Sequence, residues 1–292
     1  MPAPPSRRLI IAGAAASLCA AAAPADGRFA AIEARTGGRL GVAALDVASG
    51  ARLAYRADER FAMCSTFKAM AVAALLTRVD AGHERLDRFV RYGKADLLEY
   101  APVARKHLAA GGMTLVKLCA AAVEFSDNTA ANLVLSAIGG PAGWTQFVRA
   151  IGDGASRLDR IEPCLNTAKP DDLRDTTTPA AMLADLRAVL LGEALRPATR
   201  QRLTDWMLHC RTGDHRLRAG LPRGWRVADK TGTGDRGTAN DIAVAWAGGQ
   251  PIVIACYLTG AEPASPDARD SAIAEVGRIV AASFRPAEAR HG

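Results

Sequence analysis

No block of like charge stands out in the 292-residue sequence; its basic residues are mostly single arginines scattered among acids. The pI of about 9.3 and net charge of +7 permit nucleic-acid binding, but the scattered charge does not favour it. No collagen-like or heptad repeat is present. With 49% hydrophobic and 23% charged residues, the chain also lies outside the disordered class. Aromatic residues are scarce, at 5%. The histidines, only 5 in number, show no metal-ligand spacing, and the 6 cysteines are irregularly placed, so neither a zinc motif nor a disulfide framework is indicated. The length suits one large domain or two smaller ones.

The apolar run from Leu9 to Ala23, at 15 residues, is short for a membrane span, which needs about 20. Arg7 and Arg8 precede it, no acid occurs before Asp26, and Ala23-Pro24-Ala25 gives a small-x-small ending. Residues 1–25 therefore read as a cleavable secretory signal, placing the mature chain in the periplasm or medium with no membrane segment. Ser6-Arg7-Arg8-Leu9-Ile10-Ile11 resembles the twin-arginine export motif, while the same residues also serve as the basic region of an ordinary signal. Removing the leader leaves 267 residues, with 35 basic against 30 acidic, and an odd set of cysteines: Cys64, Cys119, Cys164, Cys210 and Cys256.

Periodicity organises the rest. A short helix at 26–35 precedes two strands at 40–46 and 51–56. Helical three-to-four spacing follows at 67–78, 115–125, 129–138, 144–151, 179–191 and 197–208. Pro179 and Pro197 suit first-turn positions. Between 156 and 178 lies a polar, proline-containing stretch without a period. Strands return at 226–233, 239–247 and 251–259, followed by an amphipathic helix at 267–284. The expected fold is α+β: a five-stranded antiparallel sheet built from both ends of the chain, with flanking terminal helices. An all-helical domain (60–208) is inserted into the sheet domain (26–59 with 209–292), and the site lies in the cleft between them.

Three short patterns carry chemistry. Ser65 stands three residues before Lys68 at the start of an apolar helix, so amine and hydroxyl share a face. A partly desolvated lysine can activate such a hydroxyl, and the helix start adds free backbone N–H groups. Ser126-Asp127-Asn128 sits between two helices, where an N-cap is the simpler role. Lys230-Thr231-Gly232 lies on a strand, where glycine weakens the ladder unless something approaches its backbone, such as a ligand lying alongside.

In this order the three patterns resemble the penicillin-recognising serine enzymes, and the set is that of the class A serine β-lactamases. Glu162-Pro163-Cys164-Leu165-Asn166 resembles the Glu-x-x-Leu-Asn element of class A, which the related peptidases lack. Arg160 and Asp175 match the pair that closes the family's omega loop, here about 157–177. Leu98 to Pro102, Thr176 to Pro179, Asp229 and Gly237 to Asp241 extend the match over essentially the whole mature chain.

The resemblance implies that Ser65 attacks the β-lactam carbonyl, with the backbone N–H groups of Ser65 and Thr233 as oxyanion hole. The acylation base is Lys68 directly or Glu162 through a water. Ser126 relays a proton to the lactam nitrogen. Asn128 holds a substrate amide, and Lys230, Thr231, Gly232 and Thr233 bind along the substrate. Glu162 and Asn166 position the deacylating water. Arg216 aligns with an arginine that supports the substrate carboxylate in some members, with Arg218 or Arg269 as alternatives, and Tyr100 lines the entrance. Glu162-Pro163 is a candidate cis bond. The family's usual bridge partners for Cys64 and Cys119 read Gly234 and Val72, so neither disulfide is expected. No cofactor or metal is implied; the partner is a small β-lactam, and the expected state is a monomer. A D,D-peptidase shares the first three patterns, and a non-catalytic β-lactam sensor acylates and stops; sustained turnover separates both from a lactamase.

Overall fold

The computed structural model describes residues 27–284; the export segment assigned to 1–25 lies outside them. Helix α1 (Gly27–Thr36) is followed by β1 (Arg39–Asp46), β2 (Arg52–Tyr55) and the two-residue β3 (Phe61–Ala62). After a 3₁₀ turn at Cys64–Thr66 comes α2 (Phe67–Asp80), then β4 (Phe89–Arg91) and β5 (Gly112–Thr114). Helices α3 (Leu115–Glu124), α4 (Asn128–Ala137) and α5 (Gly140–Ala150) lead into the long loop. Beyond it lie β6 (Thr176–Thr177), α6 (Pro179–Leu190), α7 (Pro197–Leu208) and the single turn α8 (Leu217–Gly220). Strands β7 (Arg226–Gly234), β8 (Thr238–Ala247) and β9 (Gln250–Thr259) and helix α9 (Pro266–Ser283) complete the chain.

The sheet order is β2-β1-β9-β8-β7, antiparallel throughout. Its inner strands are buried on both faces, which is why β1, β8 and β9 read as near-continuous apolar runs rather than alternating ones. On one face Phe29 and Ile32 of α1 and Ile273, Val276 and Val280 of α9 close a core over Val42, Ile254 and Cys256. On the other, Ala43, Val253 and Tyr257 join a larger core with α2 to α7, so helical and sheet residues share it. An added Cβ on Gly41 would meet the Phe61 ring at 2.4 Å and Pro179 Cγ at 2.9 Å, so glycine there lets β3 and α6 close on β1. Two tight hairpins set the register of the last three strands. The three-residue connection Asp235-Arg236-Gly237 turns β7 into β8, with Arg236 and Gly237 at positive φ, and Gly248 and Gly249, both at positive φ, form the favoured two-residue turn between β8 and β9.

Helix α2 is buried on every side from Phe67 to Leu76, the signature of a helix running through a core rather than along its surface. Lys68 is the one charged residue in that buried run. Pro179 and Pro197 occupy first-turn positions, and Thr178 caps α6 by accepting from Ala181 N at 3.1 Å. Helix α5 begins four residues before its apolar repeat, because Pro141 supports an N-terminal turn that carries no core residue. The ladders β3–β6 and β4–β5 were not expected; two or three residues are too few to show an alternation.

Candidate active site

Ser65 lies in the 3₁₀ turn before α2, preceded by Cys64 in the left-handed region (φ 45°). Ser126, between α3 and α4, is also left-handed (φ 55°). Both are unfavourable for non-glycine residues, and such strain gathers where the surrounding structure fixes a side chain for use. At the second position Asp127 does the fixing. Its Oδ1 caps α4 through Ala130 N, and its Oδ2 accepts from Val103 N and Ala104 N, each at 2.9 Å. The capping role and the chemical role of this tripeptide therefore fall to neighbouring residues.

The polar groups converge on Glu162. Ser65 Oγ donates to Glu162 Oε1 at 3.0 Å, and Lys68 Nζ lies 3.0 Å from the same oxygen. Asn166 Nδ2 donates to the other oxygen, Oε2, at 2.6 Å. Lys68 Nζ also donates to Ser126 O at 2.8 Å, to Ser126 Oγ at 3.3 Å and to Asn128 Oδ1 at 2.6 Å. Lys230 Nζ reaches Ser126 Oγ from the opposite side at 3.0 Å, so that hydroxyl bridges two ammonium groups. Burial lowers the pKa of Lys68, against the opposing pull of the Glu162 carboxylate. Burial also brings Lys230 down to about 8, with the nearby Lys68 charge acting in the same direction.

Glu162 is held from the backbone as well as by its carboxylate. Asn132 on α4 donates from Nδ2 to Glu162 O at 2.9 Å and accepts from Glu162 N at 3.0 Å through Oδ1. Sequence reasoning missed Asn132; the available signal was its place one turn after Asn128 on the same helix face. The Glu162-Pro163 bond is cis. The 157–177 loop is closed by Arg160 Nε against Asp175 Oδ2 at 2.5 Å, while Asp175 Oδ1 accepts from Asp159 N and Arg160 N at 2.8 and 2.9 Å.

Strand β7 forms the sheet edge beside this cluster, and a cleft of about 370 Å³ runs along it. Ser65, Ser126, Asn128, Asn166, Thr231 and Thr233 line it, and Tyr100, 50% exposed, stands at its rim. Gly232 is required by the protein's own packing: an added Cβ would lie 2.7 Å from Met63 O, so the close approach comes from the turn that carries Ser65. Arg216 is mostly buried beside β7, and what remains accessible of it lines the cleft next to Thr233. Nε pairs with Asp270 at 2.7 Å, and NH1 donates to Gly232 O and Asn240 O, while NH2 donates to Thr233 Oγ1, all three at 2.8 Å. Four of its five N–H donors are thus used within the protein. Arg218 is committed to Asp229. All five described cysteines are free, and Gly234 packs so closely on Cys64 that an added Cβ would lie 2.6 Å from its Sγ.

Comparison with known proteins identifies this arrangement. Residues 24–284 match the family model described as the Beta-lactamase enzyme family. The chain is 50% identical over 273 residues to β-lactamase L2 of Stenotrophomonas maltophilia, covering 91% of this chain and 89% of that one. It is 48% identical over 262 residues to β-lactamase FAR-1 of Nocardia farcinica (strain IFM 10152), covering 89% and 83%. The solved ancestral class A β-lactamase GNCA superposes with a TM-score of 0.86 at 61% identity, covering 88% of this chain and 99% of that one.

The chain belongs to the class A serine β-lactamases. Enzymes of this family hydrolyse β-lactams and confer resistance to them, and the expected α+β fold is the one observed. Within this β-lactamase the Ser65–Lys68–Glu162 cluster, the Ser126 bridge and the β7 edge all face one cleft. Among the described residues no group of three metal-ligating side chains occurs, and no helix is long and apolar enough to cross a membrane.

Proposed function

We propose that this β-lactamase opens penicillin- and cephalosporin-type β-lactams through an acyl-enzyme on Ser65, with Glu162 as the base that removes the acyl group. The observation that carries the reading is the position of Glu162, 3.0 Å from Ser65 Oγ and 3.0 Å from Lys68 Nζ, with Asn166 on its second oxygen. In acylation Ser65 Oγ bonds to the lactam carbonyl carbon and the lactam C–N bond breaks. The serine proton passes to Glu162, Ser126 gives its hydroxyl proton to the departing nitrogen and takes one from Lys68, and Lys68 recovers a proton from Glu162, which ends acylation as a carboxylate. The backbone N–H groups of Ser65 and Thr233 take the developing oxyanion. In deacylation a water loses its proton to Glu162 and attacks the ester carbon, the Ser65 O–C bond breaks, and Glu162 returns the proton to Ser65 Oγ.

Recognition follows from what each side chain has left to give. Asn128 Oδ1 is taken by Lys68, leaving Nδ2 for a substrate amide carbonyl. Thr231, Thr233 and Lys230 meet the substrate carboxylate along β7, with Gly232 offering its backbone. Arg216 orients the Thr233 hydroxyl from the cleft wall, with one N–H left to give to the substrate carboxylate. Tyr100 borders the entrance. We read the chain as a secreted or periplasmic monomer, with the helical part (60–208) and the sheet part (26–59 with 209–292) flanking the cleft.

The test is a chromogenic cephalosporin mixed with wild type and with Glu162→Ala. Wild type should turn over continuously. The variant removes the carboxylate that sustains the Lys68 charge, so a more often neutral Lys68 can still accept the serine proton and acylation persists. Hydrolysis of the acyl-enzyme should slow by about a hundredfold or more, and the adduct should accumulate on Ser65 by mass spectrometry. Turnover near wild type in the variant overturns the role of Glu162. A single stoichiometric burst from wild type supports a peptidase or sensor instead.

A further inference from the structure

Behind the 157–177 loop, on the side away from the cleft, lies a second cavity of about 710 Å³. The loop separates the two spaces. Leu165 is buried between them, and Asp235 N, at the β7–β8 turn, donates to Asn166 O at 2.9 Å. The far wall comes from the start of β1, the residues before β3 and the end of β9.

The charge on this cavity is lopsided. Arg39, Arg60, Arg160, Lys169, Arg174 and Arg236 line it, against Glu59, Asp171 and Asp172. Arg39 is matched by Glu59 at 2.9 Å, Arg174 by Asp172 at 2.8 Å, and Arg160 by Asp175. Arg60, Lys169 and Arg236 remain, from three separate stretches of chain, against Asp171. Arg60 donates to Thr176 Oγ1 at 3.1 Å, and neither it nor Lys169 forms an ion pair among the described residues. Arg236 reaches Glu262 only at 3.4 Å, between two exposed side chains.

The surrounding backbone fixes where these cations stand. Ala168 (φ 44°), Asp171 (φ 59°) and Arg236 (φ 55°) are all left-handed without being glycine. Arg39, next to Arg60 in space, is braced by stacking on the Phe61 ring at 4.0 Å and by donating to Arg60 O at 2.7 Å. A concave surface with an excess of one sign of charge focuses its field, and guanidinium groups match the oxygens of carboxylates and phosphates. We propose that this cavity is an anion-binding site, separate from the catalytic cleft, for a small polyanion bearing carboxylate or phosphate groups.

Binding is read without turnover, so the test stands apart from the role of Glu162. Isothermal titration at neutral pH would use citrate in one arm and inorganic phosphate in another, with sodium chloride at matched ionic strength as control. At least one of the two should bind saturably at one site, and the stronger arm identifies carboxylate or phosphate as the preferred group. Arg60→Gln/Lys169→Gln should weaken Kd at least tenfold while leaving cephalosporin turnover in anion-free buffer within twofold of wild type. Arg236→Gln, which removes no contact to the loop's own closure, should weaken Kd at least threefold and serves should the double variant fold poorly. No saturable binding by either anion, an unchanged Kd in the variants, or an equal response to chloride would overturn the proposal.

Discussion

Two lysines meet at one serine hydroxyl, and their burial has opposite uses. Lys68 faces the carboxylate of Glu162, whereas among the described residues no carboxylate pairs with the Lys230 ammonium; its own bonds go to Ser126 Oγ and Thr231 O. Burial is the main cause of its fall to about 8. The Lys68 charge adds to that fall, and Cys210, Asp229 and Asp241 oppose it. The ammonium attracts a substrate carboxylate only while protonated, so substrate capture should fail as pH rises through the value in the free enzyme. For a carboxylate-bearing penicillin, kcat/KM should decline about tenfold per pH unit above roughly 8, with the loss carried by KM rather than kcat. Steady-state rates from pH 6 to 10 decide this. A flat KM across that range would remove Lys230 from carboxylate recognition.

At the scale of elements the 157–177 loop decides whether the acyl-enzyme is released. Its closure rests on Asp175, a buried carboxylate that takes Arg160 on one oxygen and two backbone N–H groups on the other. Asp175→Asn keeps an oxygen for the amides but loses the charged bond, at a cost of about 2 kcal/mol to the closed loop. Glu162 and Asn166 sit on that loop, whereas Ser65, Lys68 and Ser126 do not. Deacylation should therefore slow about tenfold or more while acylation changes less than threefold; stopped-flow traces resolve the two phases. Equal slowing of both would mean that the pair supports the whole cleft. The closing pair was legible only through the family resemblance, which marks Arg160 and Asp175 as the residues that close this loop. The long strands and helices were legible directly, from periods of two and 3.6 that reflect faces turned toward a core. Asn132 was not legible, since a polar residue inside an apolar helix has several uses and only the folded chain brings it to the Glu162 backbone. The burial of Arg216 escaped the sequence for a related reason. Its partners Asp270, Asn240 and Thr233 come from three elements, and no local pattern reports such a convergence.

Across the whole molecule, the larger core contains a cost that pH can expose. Asp185 on α6 is buried beside Asp153, and among the described residues neither its Oδ2 nor that of Asp153 accepts from another group, which leaves a proton held between the two carboxyls to join them. Asp153 directs its other oxygen to Ala155 N and Ser156 N, at 2.6 and 3.0 Å. Burial first, and then the neighbouring Asp153 carboxylate, push Asp185 up to about 9, with Arg149 the one nearby cation opposing them. The native chain therefore keeps a proton on Asp185 that the unfolded chain releases above its ordinary value near 4. Between those limits the unfolded state binds fewer protons, so each rise in pH favours unfolding until the folded value is passed. Asp185→Asn supplies a permanent N–H toward Asp153 with no proton to lose. At pH 8 the variant should be more stable by about 2 kcal/mol, roughly 5 °C in Tm for a chain of this size. At pH 5 most of that advantage should vanish, because the unfolded chain then retains more of the proton. Thermal melts of both proteins at the two pH values test the difference; an equal gain at pH 5 and pH 8 would show that packing, not the shared proton, governs this pair.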